Sequence, residues 1–481
     1  MGVKRRGGWT PTANRSQEAG PRPAHAPRQQ PDGSGLRLGG TAFSPGVPSS
    51  TSNDSTSGEA AAERVAPPGA GFVPDIDDII DRRDVAVVFQ AILDAVSGQV
   101  VGFEALLRGP PGPLHAPIPL LAAARSRGRC GELDWIGRAL AFQTMLKADL
   151  PHSLSLFVNV DPDSLLVPCP QDLLDVVWEA QSGLRVFVEI TETMFLREPV
   201  LVLKSVRRAR HDGWGIALNN VGYGAKGLAL LPVIAPDVIK LDQQLLAEGT
   251  GYASAALVAA SRQRFLSETA LMVERVQNDA TVPLAQSLGV DFRQGRALAT
   301  EGPLPESLPI PWRPIPLIKH PAPSGRTPWD VLVQNGAKVT RTTDHVGVSS
   351  LVRHLVSTAF AGQEAPVVAL ILPEGHLQDA QSASILQMLV ERTPLQILLG
   401  PGASLQSDWR TWGVDLPANH PWSSTLAVVA VSGSMSMSLA ARALDTVPTY
   451  DRYEMVLSYD LGASLAVLRE VLDYCDAARS A

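Results

Sequence analysis

The sequence predicts an α/β protein: a disordered tail, a (β/α)8 barrel, and then a smaller α/β domain. Two observations predict it. Between residues 80 and 305, eight short apolar runs alternate with longer segments of helical periodicity. Those runs are apolar on both faces, the mark of parallel strands covered by helices. Eight such units fit a closed barrel, with a doubly wound open sheet as the runner-up.

Taken in order, residues 1–75 are rich in Gly, Pro, Ser, Arg and Ala. They cannot bury enough apolar surface to offset their chain entropy and are expected to be disordered. The eight runs are VAVVFQAI, VVGFEALL, LSLFVNV, RVFVEIT, WGIALNN, DVIKLD, ALMVERV and DFRQGRAL. Residues 306–326 belong to a proline-dense stretch, expected to be an extended linker or a strap over a neighbour. Within 327–481, PVVALILP, LQILLG and STLAVVAV read as buried strands, and LGASLAVLREVLDY as an amphipathic closing helix.

Bulk composition narrows the function. A net charge of -7 over 481 residues gives no reason to expect nucleic acid or an anionic membrane as the main partner. The three cysteines, Cys130, Cys169 and Cys475, lack any CxxC spacing. That argues against disulfides and zinc and for a reducing compartment. No apolar run is long enough to span a bilayer, and none follows Lys4-Arg5-Arg6. The expected location is the cytoplasm.

In such a barrel the chemistry sits where strands meet their following loops. The polar residues there are Glu104, Asn159, Glu189, Asn219, Asn220, Lys240, Glu274 and Gln294. Singly, each has a plain structural reading. Glu104 could pair with Arg108, Asn159 could cap a turn, Glu189 could flank a helix start, and Lys240 could be a solvated strand end. Together, carboxylates, amides and a lysine on converging strand ends make an oxygen-rich site suited to Mg²⁺ or Mn²⁺. His345, His354, His376 and His420 show no metal-ligand spacing.

These residues carry a resemblance. Glu104-Ala105-Leu106 within VVGFEALLRG, followed by NVDP, VEITET, VIKLD and QGRAL, resembles the EAL domain family over residues 84–300. The family comprises cyclic di-GMP phosphodiesterases and their inactive relatives. The resemblance implies a TIM-like barrel with a two-metal site that activates water against a phosphodiester bond, giving linear pGpG. By motif, Glu104, Asn159 and Glu189 would be metal ligands, as would the residues at 219 and 220. Lys240 would contact the attacking water or phosphate, and Glu274 would complete the metal site. Gln294 would hold the lining loop, and Leu106 and Arg108 would face the ligand. A homodimer would be possible, with an unknown protein partner.

Four departures stand out. Asn219-Asn220 replaces the two aspartates of DDFG, and Gln277 replaces the last glutamate of EGVE. The loop NNVGYGAKGL lacks its usual texture, and Arg296 stands where relatives often stack an aromatic on guanine. An amide lends an oxygen but no charge, and each lost charge forfeits roughly 4 kcal/mol at about 4 Å from a cation. An arginine can still stack on guanine or read its edge. The resemblance with these changes implies a cyclic di-GMP receptor with impaired catalysis. A low-activity phosphodiesterase and a non-binding interaction scaffold are the alternatives. Residues 327–481 are similar to the DICT sensory domain, with Thr449, Tyr450, Asp451 and Arg452 as the matching core.

Overall fold

The computed structural model describes residues 75–165, 167–221, 225–247, 251–277, 282–319, 324–359, 365–374, 387–389, 392–433, 435–444 and 452–480. The expected disordered tail and Thr449-Tyr450-Asp451 lie outside them.

Eight strands close into a barrel in sequence order. They are β1 (Ala86–Asp94), β2 (Val100–Arg108), β3 (Ser155–Asn159), β4 (Arg185–Thr191), β5 (Gly215–Asn219), β6 (Val238–Asp242), β7 (Ala270–Glu274) and β8 (Phe292–Arg293). From β2 to β8 the pairing is parallel, as the double-sided apolar runs predict. β1 departs from that expectation, being antiparallel to both β2 and β8. The reason is its connection. Residues 95–99 form a tight turn, in which Asp94 accepts from the Val96 and Ser97 amides, at 3.0 and 2.7 Å. A turn that short makes a hairpin; a parallel crossover needs a dozen residues or more.

Side-chain alternation along the strands builds the barrel interior in two layers. The lower layer is apolar: Ile92, Phe157, Phe187, Ala217, Val238, Met272 and Phe292 are buried together. Phe157 and Phe187 stack at 4.7 Å between ring centroids. Two residues along each of those strands comes a polar side chain: Gln90, Asn159, Glu189, Asn219, Lys240, Glu274 and Gln294, with Glu104 from β2. The intervening Val158, Val188, Ile190, Leu218, Ile239, Leu241 and Val273 point outward into the helix-packed core. The period of two therefore confines polarity to one end of the barrel.

The proline-dense stretch is a strap across the opposite end. Ile315 is buried in the lower layer. Its carbonyl accepts from Arg185 at 2.6 Å, the Ile318 amide donates to Asp237 at 2.6 Å, and Arg313 pairs with buried Asp94 at 2.8 Å.

The second domain is a seven-stranded sheet built from β9 (Val339–Thr343), β10 (Val367–Ile371), β11 (Gln396–Leu399), β12 (Thr411–Val414), β13 (Thr425–Val431), β14 (Ser436–Ala443) and β15 (Tyr453–Ser458). Its order is β12-β11-β10-β13-β14-β15-β9. The three runs read as strands are β10, β11 and β13. The closing helix, Leu461–Ser480, buries Leu468, Val471 and Cys475. It also meets the barrel, where Arg207 pairs with Asp473 and Asp476. Lys204 lies 5.0 Å over the Trp412 ring.

Candidate ligand site at the barrel mouth

The polar layer is organised around one cation. Lys240 is fully buried and its Nζ lies 2.9 Å from Glu104, 2.6 Å from Glu189 and 3.5 Å from Glu274. A buried ammonium persists only when paired and hydrogen-bonded, and here three carboxylates surround it. The pairing of Glu104 with Arg108, and a solvated Lys240, are both overturned. Arg108 instead pairs with Glu301 at 2.6 Å.

Amides fill the remaining valences. Asn159 donates to Glu104 at 3.0 Å, Gln294 donates to Glu104 at 2.8 Å, and Asn219 donates to Glu189 at 3.1 Å. All four oxygens of Glu104 and Glu189 thus accept from the protein's own donors. Register accounts for part of this: Asn159 is paired with Glu189, and Asp242 with Glu274, on adjacent strands.

Titration follows from this packing. Burial pushes the Glu104 carboxyl up, but the Lys240 charge and the three donors hold it below its usual value. Glu189 goes the other way, to about 8, because burial and the Glu104 charge outweigh Lys240. Glu274 is also raised, by burial first. Burial would lower Lys240, yet Glu104, Glu189 and Glu274 raise it.

The outer rim comes from the ends of β5, β6 and β7. Asn219 Oδ1 accepts from the Asn220 amide at 2.7 Å. Arg275 reaches across from β7 to Asp242 at 2.9 Å and to the Asn220 side-chain oxygen at 3.2 Å. The residue after Gln294 must be glycine, because a Cβ at Gly295 would lie 2.2 Å from the Val276 nitrogen. That close approach lets the Gln294 backbone carbonyl accept from the Val276 amide at 3.0 Å. Gln277 uses its backbone amide, donating to Gln243 at 2.8 Å.

Two cavities open at this mouth. One, of about 570 Å³, is lined by Leu106, Asp134, Arg138, Asn159, Thr191 and Arg275, among others. The other, of about 360 Å³, takes in Leu106, Glu274, Gln277, Gln294 and Arg296. Both volumes fall in the range of small-molecule sites. Arg108 lines neither cavity. Arg296 is exposed at the rim, 3.9 Å from Glu301. Strand-end reasoning missed Gln90, Asp242 and Arg275. The first two were findable, since each stands two residues from an inward-facing neighbour. Arg275 was not, because its reach depends on a backbone twist.

Among the described residues, the one group of three His, Cys, Asp or Glu side chains with ligand atoms within 4.8 Å of one another is Cys130, Asp161 and Asp163. Arg125 already pairs with both of those aspartates, at 2.6 and 2.8 Å. At the mouth, the carboxyl groups of Glu104, Glu189 and Glu274 all stand against Lys240.

The sequence pattern of the EAL domain family matches residues 75–301. Residues 75–301 are an EAL domain. The EAL domain is a module of cyclic di-GMP signalling proteins. The chain is 27% identical over 177 residues to the probable cyclic di-GMP phosphodiesterase PdeB of Escherichia coli, covering 36% of this chain and 34% of that one. It is 30% identical over 173 residues to an uncharacterized protein of Mycobacterium bovis, covering 34% of this chain and 27% of the other. The chain thus spans about a third or less of these relatives' lengths. Among solved structures, a manganese/cyclic di-GMP complex of BlrP1 from Klebsiella pneumoniae aligns at 26% identity and a TM-score of 0.39. That alignment covers 46% of this chain and 56% of the other. Among the described residues, no helix is long and apolar enough to cross a membrane.

Proposed function

We propose that the EAL domain is a cyclic di-GMP receptor that holds the nucleotide without cutting it. The observation that carries this reading is the saturation of Glu104 and Glu189 by Lys240, Asn159, Asn219 and Gln294. Carboxylates engaged in this way are poorly placed to gather two dications. The neutral Asn219 and Asn220 add no charge to attract them, and an amide cannot serve as a general base. The cavities beside this cluster keep the Leu106 side of the pocket, so recognition outlasts chemistry. Occupancy would pass to the second domain, read as DICT-like, or to a protein partner.

A second reading, a weak Mg²⁺- or Mn²⁺-dependent phosphodiesterase, draws on Glu104, Glu189, Lys240 and Glu274 all standing at strand ends around one centre. One assay separates the two. The full chain and the variant N219D/N220D/Q277E are incubated with cyclic di-GMP and Mn²⁺, and pGpG is quantified. The receptor reading expects pGpG from the variant alone. Wild-type turnover equal to the variant's would sink it.

A further inference from the structure

Arg275 occupies a conformation that arginine rarely adopts. Its φ is 54°, in the left-handed region, and it shares that region with Asn220 at 56°. These are two of the five non-glycine residues with positive φ among the described residues, and their side chains meet at 3.2 Å. Asparagine tolerates this region; arginine gains nothing from it locally. The backbone beyond Arg275 is pinned on both sides, Val276 to the Gln294 carbonyl and Gln277 to the Gln243 side chain. Such a twist persists because the surroundings impose it, and it often marks function. Here it turns the guanidinium back over the mouth, against Asp242.

The partners are unevenly charged. Asp242 is a carboxylate and anchors one edge of the fork. Asn220 accepts a hydrogen bond without adding a negative charge. Glu274 also lies 3.8 Å from the Arg275 Nε, so an aspartate at 220 would add a third anion around the guanidinium, where the asparagine adds none. The Arg275 side chain is 54% exposed and is common to the linings of both cavities. The N–H groups of the guanidinium that are not spent on Asp242 and Asn220 can donate to a phosphate oxygen, with matching charge.

We propose that Arg275 is a built-in cation that binds a phosphodiester group of the nucleotide in place of a dication, making binding independent of metal. The proposal rests on the receptor reading above. A guanidinium does not ionise a bound water as a metal does, so the same residue would favour holding over cutting.

The test is calorimetric titration of cyclic di-GMP into the full chain and into R275Q and R275K, in EDTA and in Mn²⁺. Circular dichroism of each variant checks folding. Wild type is expected to bind equally in both buffers. R275Q should weaken binding by about 10- to 100-fold, the loss of one charged hydrogen-bonded contact, and R275K by less. Titration of Mn²⁺ alone should give no heat with wild type. Equal affinity of R275Q and wild type in EDTA would overturn the role of Arg275 and leave the receptor reading standing. Wild-type binding that appears only with Mn²⁺ would overturn it too. A wild type that binds in neither buffer would remove both readings together.

Discussion

The two halves of the barrel mouth differ in how they manage charge. The half built by β2, β3 and β4 keeps its carboxylates, Glu104 and Glu189, and buries them against Lys240. The half built by β5, β6 and β7 supplies Lys240 and Glu274, presents Asn219 and Asn220 as amides, and lays Arg275 across Asp242 and Asn220. The first half is closed and protein-satisfied; the second is open, with Arg275 half exposed. Negative charge at a buried strand end can be retained without a metal, provided a lysine stands between the carboxylates.

The sharpest way to break this comparison is Lys240→Met. It would strand the buried Glu104 carboxylate and leave Glu189 and Glu274 without their shared partner, and the loss of one partner of a buried pair costs about 3–5 kcal/mol. Urea unfolding should show a large fall in midpoint at unchanged slope. A midpoint near wild type would mean the carboxylates are not held by Lys240.

Glu189→Gln tests the same half by pH. Glu189 titrates near 8 in the folded chain against 4.5 ordinarily. Between those values the folded state keeps a proton that the unfolded chain has released, so stability falls as pH rises through that window. Glu104, held low, acts with the opposite sign, its contribution being lost as pH falls. Unfolding free energies measured from pH 5 to 8 should decline less steeply in the Gln variant than in wild type. Identical slopes would refute the assignment.

Asn219→Ala should be milder, about 1 kcal/mol for one donor withdrawn from Glu189. Its thermal shift is the natural readout, and a loss as large as that of Lys240→Met would contradict the division into halves. The smallest effect is expected at Arg275→Gly. Relief of the left-handed φ returns about 1–2 kcal/mol, which offsets a loss of about 1 kcal/mol from the pairs of the half-exposed guanidinium with buried Asp242 and Glu274. Thermal stability should therefore hold or rise slightly. A marked drop would show that Arg275 is a structural brace.

Much of this was legible in the chain itself. The eight apolar runs became the eight strands, because double-sided burial leaves a continuous hydrophobic imprint. Seven polar residues at their ends converged as expected, since alternation with period two fixes which side chains face inward. The asparagines at 219 and 220 could be read as lost charge before any coordinates. Three things needed the tertiary structure. The reversal of β1 depends on a five-residue turn, residues 95–99, whose length is visible but whose pairing is not. The strap of residues 306–319 is bare proline-rich sequence until Ile315 is seen plugging the barrel floor. Arg275 is one basic residue among many until a backbone twist aims it at Asp242. Local patterns determine which face a side chain takes, because that is set by the geometry of a single strand. Which charges meet is decided by elements distant in sequence, and only the closed barrel brings Lys240 to Glu104 across 136 residues.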